Sequence, residues 1–158
     1  MKKVVLVLIL VFLITSVFSQ KKKDIKNFQI KSVTESIDAN GKIILDSKTV
    51  FDKNGEVIEE EKYDDEGKLN SKIKYKLDVN NDVIEELEYD GANKLIQKKT
   101  IKYNYTGKKT EELVVDDKNV VIKKMVYTYN VKGLKTAKTT YNASNKIISI
   151  KKYSYAFK

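Results

Sequence analysis

One complete copy of the repeating unit in this chain is residues 63–77, which read YDDEGKLNSKIKYKL. In this unit an apolar residue is followed at once by Asp or Asn, and Gly or Asn stands three positions after that. Nine starting points obey the rule, at separations that alternate between fourteen and twelve positions: Ile37, Phe51, Tyr63, Leu77, Tyr89, Tyr103, Val115, Tyr129 and Tyr141. A period this strict indicates an array of small, equivalent structural units.

The start of each unit predicts a tight turn between two strands. Asp64 stands at the first position of a type I turn, where its carboxylate can accept the backbone N–H two residues further on. Gly67 stands where the backbone must become left-handed before the next strand, as in a hairpin loop with a bulge. Only Gly and Asn occur at this position, and they tolerate a positive φ at the lowest cost. The nine residues are Gly41, Gly55, Gly67, Asn81, Asn93, Gly107, Asn119, Gly133 and Asn145.

The segments between the turns alternate in polarity with a period of two. Leu69 and Ile73 share one parity, whereas Lys72 and Lys74 share the other. This is the pattern of a half-buried strand, and no helical period follows residue 19. The sequence therefore predicts an all-β fold, an antiparallel up-and-down meander of about 9–10 strands built from 26-residue double repeats. Each double repeat combines a short unit of twelve positions with a long unit of fourteen.

This pattern leaves open the shape of the sheet and the start of its first strand. An open curved sheet and a partly closed barrel both fit it, with the Tyr, Ile, Leu and Val rows on the inward face. The first strand is predicted to start near Ile25 or near Ile37.

Charged residues recur with the period of the double repeat. Glu60, Glu86 and Glu112 lie in the short units, and Lys72, Lys98 and Lys124 lie in the long ones. Folding each hairpin about its turn brings each glutamate to within about one residue of the corresponding lysine. Opposite charges on neighbouring strands contribute about 0.2–1 kcal/mol per pair. The recurrence therefore predicts a stabilising ladder rather than a catalytic pair of carboxylates.

Residues 1–19 have the pattern of a secretory signal peptide, with Lys2 and Lys3 ahead of an apolar stretch over residues 4–14. That stretch is shorter than the roughly 20 residues that a spanning helix needs. We therefore predict cleavage at residue 19 or 20, with no membrane span left after removal of the signal. The rest divides into a polar leader, mobile over residues 20–24, that can include a first strand (residues 20–36) and a β-hairpin repeat domain (residues 37–158). The predicted location is exported: periplasmic, cell-surface or extracellular.

Several segments share a further pattern: Tyr63–Leu69, Tyr75–Asp78, Tyr89–Leu95, Tyr127–Asn130 and Tyr153–Tyr155. They resemble the YD (RHS-type) repeat, in which a YxYD turn is followed by x-x-G-[RK]-L. The resemblance covers about residues 37–158 and implies strips of β-hairpins, which in large members form shells around a toxin or stand on cell surfaces. This chain departs from those members in being short, in having Lys after the Gly, and in lacking a toxin or autoprotease segment. A weaker resemblance is to MORN-variant repeats, which favour Trp, a residue absent here.

The composition excludes most catalytic chemistry. The chain has no His and no Cys, so the usual general base, thiol nucleophile and soft metal ligands are missing. We predict that it is not an enzyme and that it holds no metal and no cofactor. The net charge is +9, and +7 once Lys2 and Lys3 are removed, which fits both attraction to polyanions and simple solubility. Nucleic acid is not favoured, because Arg is absent.

The tyrosines allow two interpretations. A row of tyrosines can fill the inward face of the sheet, or it can form an exposed platform for sugars or partner proteins. We predict a non-catalytic scaffold or protein-interaction module of the cell envelope or extracellular space. The alternative is a module that binds glycans or polyanions through its tyrosine and lysine rows. The partner would be another envelope protein or an extracellular glycan. The candidate ligand contacts are Tyr75, Tyr105, Tyr127, Tyr129, Tyr153 and Tyr155.

Overall fold

The computed structural model describes residues 17–39 and 41–157. The predicted signal peptide lies outside these residues except for its last three positions. The described residues form one helix and ten strands: α1 (Val17–Asn27), β1 (Ser32–Ala39), β2 (Lys42–Phe51), β3 (Val57–Tyr63), β4 (Leu69–Leu77), β5 (Val83–Asp90), β6 (Leu95–Tyr103), β7 (Lys109–Asp116), β8 (Val121–Tyr129), β9 (Lys135–Asn142) and β10 (Ile147–Lys152).

The ten strands form one sheet in which each strand pairs only with its neighbours along the chain. The order is β1 to β10 without a crossover, and every pair is antiparallel. The predicted all-β meander is therefore confirmed. β1 and β10 do not pair with each other within the described residues, so the sheet is open rather than a partly closed barrel.

The nine predicted turn residues all have a positive φ, between 60° and 80°. In the turn after β3, the Asp64 carboxylate accepts the backbone N–H of Glu66 and that of Lys68, both at 2.9 Å. The N–H of Asp64 donates to the carbonyl of Lys68, and the N–H of Gly67 donates to the carbonyl of Asp64. This is the type I turn with a left-handed bulge residue that the sequence predicts. The same side-chain bonds recur in the turns that begin at residues 52, 78, 90, 104, 116, 130 and 142.

A substitution at Gly107 isolates the contribution of the left-handed backbone. Gly107 has a φ of +71°, and a Cβ at this position would meet nothing within 4 Å. Gly107→Val is therefore expected to lower the free energy of unfolding by about 1–2 kcal/mol, whereas Gly107→Asn should cost little because Asn tolerates this conformation. Urea denaturation of both variants measures the difference. Equal stabilities of the two variants would show that the turn does not require the left-handed residue.

The register places each glutamate within one residue of its lysine, as predicted, and shows that the residue directly opposite is a neighbour of that lysine. Glu60 lies opposite Ile73, and it is Glu61 that lies opposite Lys72. The Glu61–Lys72 and Glu59–Lys74 ion pairs both measure 3.5 Å. In this hairpin a β-bulge beside the turn adds one residue to one strand and so determines which charged residues face each other. The later hairpins follow the same alignment, so that Glu86 lies opposite Lys99 and Glu112 lies opposite Met125.

The start of the chain differs from the prediction. The helix covers residues 17–27, so residues 20–27 of the predicted polar leader are helical, and the first strand begins at Ser32. Ile25 is 6% exposed and anchors the helix. A Cβ on Gly55 would lie 3.5 Å from the Ile25 side chain, so the helix packs closely on the turn between β2 and β3. Lys22 of α1 also pairs with Glu56 at 2.5 Å. Between residues 20 and 27 Ile25 is the single apolar residue, so the sequence of this segment has no helical period.

Four of the buried apolar residues lie on one face in the middle of the sheet. Ile101, Val114, Met125 and Tyr127 are each 9% exposed or less, and Val114 is fully buried. The register places all four on the face that carries the tyrosine row, because Ile101 and Met125 both lie opposite Glu112 on β7. The buried residues on this face of β6, β7 and β8 form the hydrophobic core of the sheet.

Candidate functional site: a basic tyrosine surface

In the last three long units, a tyrosine at the end of the unit bonds to the beginning of the preceding strand. The hydroxyl of Tyr103 donates to the carbonyl of Val83 at 3.0 Å. One double repeat further on, Tyr129 donates to the carbonyl of Lys109 at 2.7 Å. Tyr155 donates to the carbonyl of Lys135 at 2.8 Å, completing the series. These hydroxyls are used in holding the sheet together.

A second set of tyrosines pairs with the glutamates of the short units. Tyr75 donates to Glu60, and Tyr127 donates to Glu112, both at 2.8 Å. Burial, together with the hydrogen bond to a carboxylate, raises the pKa of both phenols. In the middle repeat Ile101 replaces the tyrosine, and Glu86 pairs with Lys99 instead.

Glu112 is the most buried carboxylate of this face, with a residue exposure of 7%. Lys109 donates to it at 2.5 Å, in addition to the bond from Tyr127. Although burial opposes ionisation, these two bonds keep the pKa of Glu112 below its ordinary value. The group is a buried anion with satisfied partners, and its role is structural.

The six predicted contact residues do not form one platform. Tyr75 lies on β4 and Tyr105 in the turn between β6 and β7, away from the other four. Tyr105 is fully exposed, Tyr155 is 45% exposed, and Tyr127 is buried. Tyr129 and Tyr153 are half-buried. The structure therefore brings together Tyr127, Tyr129, Tyr153 and Tyr155, at the β8–β10 end of the sheet.

Three lysines surround two of these rings. The Lys135 ammonium lies 4.8 Å from the centre of the Tyr127 ring and 5.6 Å from that of Tyr153. Lys138 lies 5.7 Å from the Tyr127 ring, and Lys151 lies 5.5 Å from the Tyr153 ring. Such distances allow cation–π attraction. We call these five residues (Tyr127, Lys135, Lys138, Lys151 and Tyr153) the C-terminal basic surface.

The C-terminal basic surface breaks the charge rule of the earlier repeats. Lys138 stands one double repeat after Glu112, at the position that is glutamate in the three preceding copies. It lies directly opposite Lys151 on β10. Two like charges facing each other across a sheet are destabilising. Within residues 17–39 and 41–157, Lys135, Lys138 and Lys151 form no ion pair. The concentration of positive charge on this surface therefore lowers the stability of the fold.

The distribution of charge along the sequence gives the same picture. Residues 118–158 contain ten lysines and no Asp or Glu, whereas residues 1–117 contain 21 lysines and 22 acidic residues. The whole positive excess therefore belongs to the last part of the chain. The sequence prediction named lysine rows but treated the net charge as a single sum, so it identified no individual lysine; counting charge along the chain locates them.

No protein-family model matches this chain, and no curated protein matches it. Solved structures that align with it include a porin-like protein from Bacteroides uniformis, with 12% identity, 79% of this chain and 50% of that chain covered, and a TM-score of 0.43. TarM from S. aureus aligns with 18% identity, 79% of this chain, 22% of its own length and a TM-score of 0.31. A protein with unknown function from Bacteroides fragilis aligns with 16% identity, coverages of 80% and 95%, and a TM-score of 0.39. This chain thus spans half of the porin-like protein and less than a quarter of TarM. All three TM-scores are below 0.5, so these similarities indicate no function.

In the described part of the chain, no helix combines the length and the apolar content that crossing a bilayer requires.

Proposed function

We propose that this chain is a non-catalytic binding module that acts after export, in the cell envelope or the extracellular space, and that its C-terminal basic surface binds an anionic polymer such as an acidic glycan. The observation that carries the proposal is the change from glutamate to lysine at position 138. The three earlier copies keep a carboxylate beside their lysines, and the last copy replaces it with a lysine that faces Lys151. A bound polyanion would neutralise the repulsion that this arrangement creates.

The geometry favours anionic ligands over neutral sugars. A stacking platform needs a free aromatic face. The Tyr127 ring is buried and has two ammonium groups beside it, and the Tyr153 ring also has two. Lys151 is exposed, so an ammonium group rather than a ring is what an approaching ligand meets first.

We base the proposed export of the chain, and its resemblance to YD-repeat proteins, on sequence patterns. The pattern of residues 1–19 supports export. The YD-repeat resemblance stays a prediction, and it is compatible with a non-catalytic module outside the cytoplasm. The competing function is a scaffold without a ligand, which the hydrogen-bonded tyrosines support because their hydroxyls hold strands together.

The test is retention on immobilised heparin, a sulfated polymer, at two salt concentrations, with Lys138→Glu as the decisive variant. The substitution would restore the carboxylate of the repeat, three positions from Lys135 as Glu112 is from Lys109. The new carboxylate would also lie opposite Lys151, so the variant should fold at least as stably as the wild type. We expect about tenfold weaker binding from Lys138→Glu, because a favourable contact with the polymer becomes a repulsive one.

The matched control is Lys53→Glu, which makes the same change of charge in an exposed turn between β2 and β3. It should leave binding nearly unchanged. Wild-type binding should fall steeply with salt, with a log–log slope of about −2 to −3 if three lysines displace counterions. Equal losses of heparin binding in both variants would mean that only net charge matters. If the wild type is not retained, the binding proposal is wrong and the scaffold function is favoured.

A further inference from the structure

The two edges of the open sheet carry opposite charge. β1 contains Glu35 and Asp38 and no lysine, whereas β10 contains Lys151 and Lys152 and no acid. Both strands are largely exposed, and neither has a partner on its outer side within the described residues. Each edge also exposes an isoleucine: Ile37 on β1 is 55% exposed and Ile150 on β10 is 52% exposed. Unpaired edges with apolar residues are templates for another strand.

The helix α1 leaves the outer edge of β1 accessible. Its contacts are with the turn between β2 and β3, where Lys22 pairs with Glu56 and Ile25 lies near Gly55. It therefore sits at the end of the sheet formed by the turns, and no other strand of residues 17–39 and 41–157 pairs with the outer side of β1.

The repeat makes the two edges complementary in direction. β1 stands at the place of the odd-numbered strands, and a strand added beyond β10 would be the eleventh. If a second copy is placed by translation, its β1 therefore runs antiparallel to β10 of the first copy. On its inner side β10 already pairs antiparallel with β9. Antiparallel addition in this direction also keeps the same face of the sheet on the same side in both copies.

Face and charge together select a pairing partner for Glu35. Glu35 lies opposite Ser47 and accepts a hydrogen bond from its hydroxyl at 2.9 Å. Following the register strand by strand places this residue on the face of the tyrosine row. Lys151, which lies opposite Lys138, is the charged residue of β10 on that face. A register with Glu35 of one copy opposite Lys151 of the next would relieve the repulsion between Lys151 and Lys138.

We propose that copies of this chain associate end to end, with β10 of one copy pairing antiparallel with β1 of the next and Glu35 opposite Lys151. The interface is heterologous, so it adds copies in series and does not close after two. Symmetric pairing of two β10 edges would bring lysines together, and symmetric pairing of two β1 edges would bring acids together. The charges thus specify the head-to-tail arrangement. This proposal does not depend on the proposed binding of a polyanion.

Sedimentation velocity over a range of concentrations at low salt tests the association. The average mass of the wild type should rise with concentration beyond that of a dimer. Glu35→Lys and Lys151→Glu should each need about tenfold more protein to reach the same mass, because an attractive cross-strand pair becomes a repulsive one. An equimolar mixture of the two variants, and the double variant with both substitutions, should recover the wild-type behaviour.

The matched controls change exposed turn residues away from both edges. Asp65→Lys and Lys118→Glu make the same changes of charge and should behave as the wild type. Recovery in the mixture would also show that each variant is folded. A wild type that stays monomeric, a mass that stops at the dimer, or single variants that match the controls would each overturn the proposal.

Discussion

Replacing Ile101 with Asp is expected to remove a large part of the free energy of unfolding at neutral pH. Ile101 is 4% exposed and lies directly opposite Glu112, which is itself buried and ionised. The substitution would bury a second carboxylate beside the first, without a partner of its own. Burying an unpaired charge is among the few changes that cost more than about 4 kcal/mol. Small domains are stable by only about 5–15 kcal/mol in total.

The measurement is urea denaturation followed by circular dichroism. Val131→Asp is the control, because Val131 lies in the turn between β8 and β9 and is fully exposed. It should change the free energy of unfolding by less than about 0.5 kcal/mol. A midpoint for Ile101→Asp close to that of Val131→Asp would mean that the β6–β8 face is not the core.

Removing the hydroxyl of Tyr127 is expected to destabilise the protein by about 2 kcal/mol, because hydrogen bonds to charged groups contribute about 1.5–3 kcal/mol. This hydroxyl donates to the Glu112 carboxylate at 2.8 Å. Tyr127→Phe leaves the ring in place and leaves the buried carboxylate with Lys109 alone. Tyr105→Phe is the control, since Tyr105 is fully exposed, and it should have no measurable effect. Urea denaturation at neutral pH measures both.

The loss from Tyr127→Phe should depend on pH with a defined sign. The pKa of Glu112 is held below its ordinary value of 4.5, so its ionisation stabilises the fold fully above that pH. The contribution disappears as the pH falls through the lowered pKa of the folded state. Wild type and Tyr127→Phe should therefore differ most near neutral pH and converge under strongly acidic conditions. A difference that stays constant from neutral to acidic pH would show that the hydroxyl does not act through the ionised Glu112.

The turns and strands could be predicted from the sequence because their causes are local. An Asp such as Asp64 bonds to its own turn, and a residue such as Gly67 or Asn81 accepts a positive φ, wherever the rest of the chain lies. Alternation with a period of two then assigns the faces. The number and order of strands follow from nine turns of one kind.

The register could be predicted only to within one residue. The bulge beside this turn determines whether Glu60 or Glu61 faces Lys72, and the turn residues predict the bulge without fixing how the two strands are aligned across it. The helix α1 was missed for a different reason. The helix is anchored by Ile25, which is buried because it packs against the turn at Gly55. That contact cannot be read from the sequence of the helix alone.

The candidate site was predicted in part. Tyr127 and Tyr153 were named from the repeat, but the pattern could not show that Lys135 lies between their rings. That contact joins β9 to strands on both of its sides, and it depends on the register. The change from Glu112 to Lys138 was visible in the sequence, and it gained significance once Lys151 was found opposite.

The central claim is that the repeat produces one open sheet whose register recurs with every double repeat. Nuclear magnetic resonance contacts between strands in a dilute, monomeric sample test it most directly. We expect cross-strand contacts between Glu60 and Ile73, between Glu86 and Lys99, and between Glu112 and Met125, and none between β1 and β10. Contacts of Glu60 with Lys72 as its direct partner, or contacts that join β1 to β10 within one molecule, would contradict the account.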